Sequence, residues 1–145
     1  MLGIDVMLEL GRLSERAAGG DPLDTLLAEL ARLAGRAADA DGSVLLTDAD
    51  ALRALGPDVP GPAHAVAELR DRGPVARSLL SQDVAEADHL TDPSRWPDLA
   101  DHARRAGVGA VLSVPILCDD QAWGAVELRR STPRGWSRDD RAVAR

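Results

Sequence analysis

The sequence predicts a mixed α+β domain, an antiparallel sheet with helices at both ends, on three observations. Apolar residues recur at three- and four-residue steps near the N-terminus. Short apolar runs of strand length follow in the middle and later parts of the chain. Clusters of Asp, Gly and Pro punctuate the runs. A length of 145 residues suits one domain with a single core.

The first helix is read from Leu2, Val6, Leu10, Leu13 and Ala17, one stripe of a helical surface, and Gly19-Gly20 ends it. This sets residues 1–20 apart as an N-terminal helix from a domain over 21–145. Asp21-Pro22 reads as an N-cap with proline at the first helical position, and Asp24 places an anion in the first turn, where the helix dipole favours it. Leu23, Leu26, Leu27, Leu30, Leu33, Ala34 and Ala37 form the apolar face of this second helix, expected to stop near Asp41-Gly42.

Residues 43–47 (SVLLT) read as a strand, 48–50 as a turn, and ALRALG as a second strand of weak propensity. Pro57, Pro60, Gly61 and Pro62 mark a loop, after which Ala63 to Arg70 and Pro74 to Leu80 read as short helices separated by Gly73. DVAEAD (83–88) alternates as an edge strand would. TDPSRWPD is turn chemistry leading to a helix from about Pro97 to Ala106, closed by Gly107. A hairpin follows, SVPILCDDQAWGAVEL, and then Ser137 with Asp140 three residues on, a variant capping box opening a last helix.

Composition excludes several chemistries. A net charge of −7 and a pI near 4.9 oppose the cationic surface that nucleic acids require, so no direct nucleic-acid binding is expected. No apolar run reaches the ~18 residues of a membrane span, and no basic-then-apolar leader is present, which predicts a cytoplasmic protein away from the membrane. Cys118 is the single cysteine, which rules out an intrachain disulfide and a cysteine-based zinc site. All 17 basic residues are Arg, and Lys, Asn, Phe and Tyr are missing, the usage of a GC-rich genome. Neither a Schiff-base lysine nor a catalytic tyrosine can exist here.

The hairpin carries the candidate site. With Asp119-Asp120 as a two-residue turn, the pairing is Cys118 with Gln121, Ile116 with Trp123, Val114 with Ala125 and Leu112 with Glu127. One face is then Leu112, Val114, Ile116, Trp123, Ala125 and Glu127. Val111, Ser113, Pro115 and Leu117 share the other with Ala122, Gly124, Val126 and Leu128. Both faces are mainly apolar, which predicts a sheet covered on two sides, and Pro115 requires the ladder to be open or bulged beside it. Gly124 and Ala125 leave space in such a core. Glu127 has two readings, a paired carboxylate facing that space or a strand-end carboxylate reaching solvent, Arg129 and Arg53. Trp123 is either a core filler or a ligand platform.

The run RGPVARSLLSQDVAEADHLTDPSRWPDLADHARRAGVGAVLSVPILCDDQAWGAVEL, followed by RGWSRDD, resembles a GAF domain, and most of all those of actinobacterial sensory proteins that join a GAF domain to an ANTAR RNA-binding output. The pattern lies in Gly73-Pro74, Arg95-Trp96-Pro97, Gly107, Val114-Pro115, Gly124-Ala125 and Gly135-Trp136 to Asp140, and the likeness covers about residues 20–145. The resemblance implies a PAS-like central antiparallel sheet of five to six strands. Terminal helices would cover one face, and short helices and loops the other. It also implies a small ligand between sheet and cover, and a parallel homodimer through the terminal helices.

The candidate ligand-binding residues are Arg95, Trp96, Val111, Ser113, Pro115, Trp123, Ala125 and Glu127. Val6, Leu10, Leu13 and Ala17 are the candidate dimer contact. Arg95 would clamp an anion at the pocket mouth or else hold its turn through Asp92 or Asp98. A ligand site predicts an apolar cavity of a few hundred cubic ångströms beside Trp96, Trp123 and Ser113. Departures from the family's specialised members narrow the guest. The asparagine-lysine motif of cyclic-nucleotide GAF domains cannot occur here, Cys118 is not in the segment where bilins attach, and one cysteine supplies no reductase relay.

No cofactor and no metal is expected. His64, His89 and His102 form no i, i+4 pair, and a site from His89 with Asp88, Asp92 or His102 is the weaker alternative to solvated or capping histidines. No base neighbours Ser113 in sequence. The expectation is therefore a non-enzymatic sensory or regulatory domain, acting on transcription, that binds an unidentified small molecule and signals through a homodimer. The alternatives are a structural dimerisation module with a self-filled pocket and, less favoured, a divergent enzyme on the same scaffold.

Overall fold

The computed structural model describes residues 12, 16, 18–20, 22–48, 51–55, 61–132 and 136. The dimer candidates Val6, Leu10, Leu13 and Ala17, the cap Asp21 and the last helix from Ser137 lie outside them. In chain order the elements are α1 (Leu23–Ala37), β1 (Asp41–Asp48), β2 (Ala51–Leu55), α2 (Ala63–Arg72), α3 (Pro74–Ser81), β3 (Ala85–Ala87), α4 (Ala100–Ala106), β4 (Ala110–Cys118) and β5 (Gln121–Arg130). The strands form one five-stranded sheet in the order β2-β1-β5-β4-β3, every neighbour antiparallel. This is the α+β class and GAF/PAS-like layout expected.

The sheet is covered on both faces. On one, Ala34 and Ala38 of α1 and its end, together with Trp136, pack on Ala110, Leu112, Val114 and Leu128. On the other, α2, the loop after β3 and α4 bring Leu69, Leu90, Leu99 and Ala103 against Val111, while Val75 of α3 packs on Leu45 and Ala125. Helix boundaries differ from the sequence reading in small ways. Pro22 takes the N-cap position with no side-chain cap, one residue before α1, and α1 ends at Ala37 because Asp41 and Gly42 belong to β1. The turn after Trp96 is longer than expected, so α4 starts at Ala100. Gly107 closes it in the left-handed region (φ 69°), as a C-terminal glycine should.

The hairpin pairing is the main correction. Asp119 and Asp120 do form the two-residue turn, with φ of 52° and 63°, the conformation whose twist suits a hairpin. Cys118 pairs with Gln121 and Leu117 with Ala122, but the register then shifts, and Ile116 pairs with Gly124. Trp123 is the extra residue of a β-bulge. A Cβ on Gly124 would collide with the Leu45 carbonyl of β1, so the bulge sits beside a tight contact between β5 and β1. Beyond it Pro115 pairs with Ala125, Val114 with Val126, Ser113 with Glu127 and Leu112 with Leu128. The one-residue slip moves Ala125 and Glu127 to the face of Val111, Ser113 and Pro115. On its other side β4 is paired with β3 only from Val111 to Ser113, so the ladder is open where Pro115 needs it to be.

Candidate functional site

Three strands set side by side on the helix-covered face make a polar row. Ser43 of β1 pairs with Glu127 of β5, and Glu127 with Ser113 of β4, so all three point to the cover. All are buried, Glu127 to 4% exposure. Glu127 Oε1 accepts from Arg129 Nη1 at 2.6 Å and from Arg70 Nη2 at 3.2 Å, and Arg129 Nη1 also donates to Ser43 Oγ at 2.9 Å. The carboxylate is thus buried and paired, and Arg129 is a partner that the strand-end reading named. Arg53, its other expected partner, instead binds Asp24 of α1 at 2.6 Å. Arg70 stands at the C-terminal end of α2, one turn after Val66, so a charge occupies the apolar stripe of that helix. Its Nε is buried without an acceptor, which costs about 1–3 kcal/mol for such a donor.

A second polar contact joins cover to sheet. Ser78 of α3 donates to the Val75 carbonyl at 2.9 Å, and its Oγ lies 2.7 Å from Ser113 Oγ. Because the Ser78 proton is committed to Val75, Ser113 is the donor of the pair. A nucleophile needs a base as neighbour. Ser113 has another hydroxyl.

Between these contacts lies a chamber lined by Val66, Leu69, Leu90, Val108 and Val111, with Arg70, Glu127 and Arg129 at one end. Its free volume is about 10 Å³, the room of one water molecule rather than the few hundred cubic ångströms expected. The side chains of the cover fill most of the space.

The structure brings Val111, Ser113, Pro115, Ala125 and Glu127 onto this one face, with Val111 and Glu127 in the chamber wall. It sets the other three candidates elsewhere. Trp123 is 57% exposed, because the bulge turns it out of the sheet. Arg95 and Trp96 line a separate open groove of about 780 Å³ with Arg72, Arg77 and Asp98. There Arg77 lies over the Trp96 ring at 5.1 Å, and Arg95 donates to Asp88 at 3.1 Å, with Asp92 4.0 Å away. Asp92 accepts from the Ser94 hydroxyl and amide at 2.7 and 2.9 Å, and these bonds, with Arg95 nearby, hold its carboxyl below the ordinary 3.8. Arg70 and Ser78 are the residues of the candidate site that sequence reasoning missed. The signal was present in each case: a polar residue at i+4 from Val66 or i+3 from Val75 on an otherwise apolar helical stripe.

The histidines do not assemble a metal centre. His64 and His102 meet edge to face at 5.6 Å, His89 sits beside Asp88, and among the described residues no group of three or more His, Cys, Asp or Glu side chains could hold an ion. No helix among them is long and apolar enough to cross a membrane.

The sequence matches the GAF domain family over residues 22–145. Solved structures share the fold. The GAF domain of an Acinetobacter phosphoenolpyruvate-protein phosphotransferase superposes with a TM-score of 0.65 at 15% identity, over 98% of this chain and 87% of that one. The phycocyanobilin-bound GAF domain from a cyanobacterial phytochrome gives 0.64 at 15% identity, over 98% and 88%. A type II free methionine-R-sulfoxide reductase from Thermoplasma acidophilum gives 0.61 at 11%, over 83% and 82%. At such identities the likeness is one of fold. No curated protein matched the sequence.

Proposed function

Since this chain belongs to the GAF domain family, we propose that it is a non-enzymatic sensory module that takes a small molecule between its helical cover and its sheet, and passes the event on through paired helices of a homodimer. One observation carries the reading: a buried arginine and glutamate, Arg129 and Glu127, and the part-buried Arg70 line an otherwise apolar chamber. A core made for stability alone gains little from such a cluster, since apolar replacements of similar volume are often neutral or stabilising. The fold is also that of a phytochrome domain with phycocyanobilin bound, which supports a guest in this scaffold.

In the closed form the chamber is one water wide, so entry of a guest is coupled to displacement of α2 and α3. A ligand then acts by its different affinity for two arrangements of the cover and, through them, of the terminal helices. The reductase of the same fold raises turnover as a possibility. A single cysteine and a Ser113 hydroxyl held by Ser78 speak for binding instead. The sequence resemblance is what supports placing the module in a cytoplasmic regulator of the GAF-ANTAR kind.

The small chamber favours a second reading, a structural dimerisation module whose pocket is filled by its own side chains. Native mass spectrometry of the protein purified from its own host separates the two. The sensory reading expects a dimer carrying a small-molecule adduct. Bare subunits, together with a chamber that xenon does not enter under pressure, would leave the structural module.

A further inference from the structure

The chamber has two kinds of wall, and their chemistry narrows the guest. Seven apolar side chains, Pro74 and Val75 among them, form the body of the space, and a charged cluster completes its wall. Within the cluster the bonds are unevenly shared. Glu127 Oε1 is held closely by Arg129 at 2.6 Å, while Arg70 reaches the same oxygen with Nη2 alone, at 3.2 Å. Arg70 Nε is buried and has no acceptor. A guanidinium presents Nε and Nη2 as a planar fork, and the partner that satisfies both at once is a planar pair of oxygens.

Resting on the reading of the chamber as a ligand site, we infer that its guest is a small monocarboxylate with an aliphatic body, its two oxygens on the Arg70 fork and its hydrocarbon among Val66, Leu69, Val108 and Val111. Charge selects this class. A single negative charge is balanced by one guanidinium already in place, whereas a doubly charged phosphate would add a desolvation cost that apolar walls do not repay. The exchange also has a mechanical consequence. Arg70 belongs to α2 and Glu127 to β5, so a carboxylate that takes over Arg70 replaces a tie between cover and sheet. Glu127 is then left to Arg129, and no covalent bond is made or broken.

The test uses the full chain and two probes of one shape, 3-methylbutanoate and the uncharged 3-methylbutanamide, titrated while the Val66, Val108 and Val111 methyl resonances are followed by NMR. The expected result is saturable movement of these methyls with the acid, about tenfold or more weaker binding of the amide, and a similar loss with the acid in Arg70→Met. Equal binding of acid and amide would overturn the carboxylate assignment while leaving a ligand chamber. No movement with either probe, in a protein whose chamber xenon does not enter, would overturn both. If Arg70→Met fails to fold, the acid-to-amide ratio in the unaltered chain still decides.

Discussion

Glu127 is the residue on which the charged end of the chamber depends, because both Arg70 and Arg129 direct an Nη at the same oxygen. Glu127→Ala leaves the buried Arg129 and the part-buried Arg70 without that partner, and the expected cost is about 3–5 kcal/mol in urea unfolding. Glu127→Gln keeps an acceptor oxygen and is expected to cost less. The Ser78 and Ser113 pair predicts an asymmetry that a merely crowded site would not produce. Ser78→Ala strands the Ser113 proton in a fully buried position, at a cost of about 1–3 kcal/mol, whereas Ser113→Ala leaves Ser78 still donating to Val75. The double substitution is expected to be milder than Ser78→Ala alone, since both polar groups are then gone. A double-mutant cycle measured by denaturant unfolding checks it, and equal single-site costs would refute the assigned proton direction.

At the scale of elements, the bulge between β4 and β5 decides which side chains meet the cover. Gly124→Ala drives a methyl into the Leu45 carbonyl, so β1 and β5 must part locally. The expected loss is about 1–3 kcal/mol, with weakened amide protection at the Leu46 and Gly124 pairing seen by hydrogen exchange. The turn before α4 supplies a pH response. Ser94 and Arg95 hold the Asp92 carboxyl below 3.8, so its contribution is complete above that value and is lost as pH falls through the lower folded-state value. The Ser94 amide shift is expected to move only below pH 3.8 and to lose this step in Asp92→Ala. Element identity was legible in the sequence, since β1, α2, α3 and the Asp119-Asp120 turn each rest on local period or turn chemistry. The bulge was not. It sits beside a tight contact of Gly124 with the Leu45 carbonyl, residues about eighty positions apart, and alternation along one strand carries no record of that contact. The slip is also why Trp123 was assigned to the wall and Glu127 to the wrong face.

For the whole molecule, the proposed signal would have to pass from the cover through the sheet to a partner subunit. α1 packs on the sheet face opposite the chamber through its Ala34 side, and it leaves Leu23 at 67% and Leu30 at 40% exposure. Those leucines are seven residues apart, two helical turns, so they share a face. The upstream stripe of Val6, Leu10, Leu13 and Ala17 repeats the same spacing. A homodimer that buried the Leu23 and Leu30 face of α1 would place that contact on the far side of the sheet from the guest, so that the sheet itself would transmit the change. Leu10→Glu with Leu13→Glu in the full chain puts like charges into the proposed seam, in a protein whose net charge is already −7. Multi-angle light scattering is expected to read the mass of one 15.3 kDa chain for this variant and twice that for the parent. The chamber lies outside the altered segment, so methyl shifts with 3-methylbutanoate are expected to persist in the monomer. A variant that remains dimeric would move the contact away from the N-terminal helix, and a monomeric parent would remove the homodimer from the proposed function while leaving the chamber and its charged end as they are.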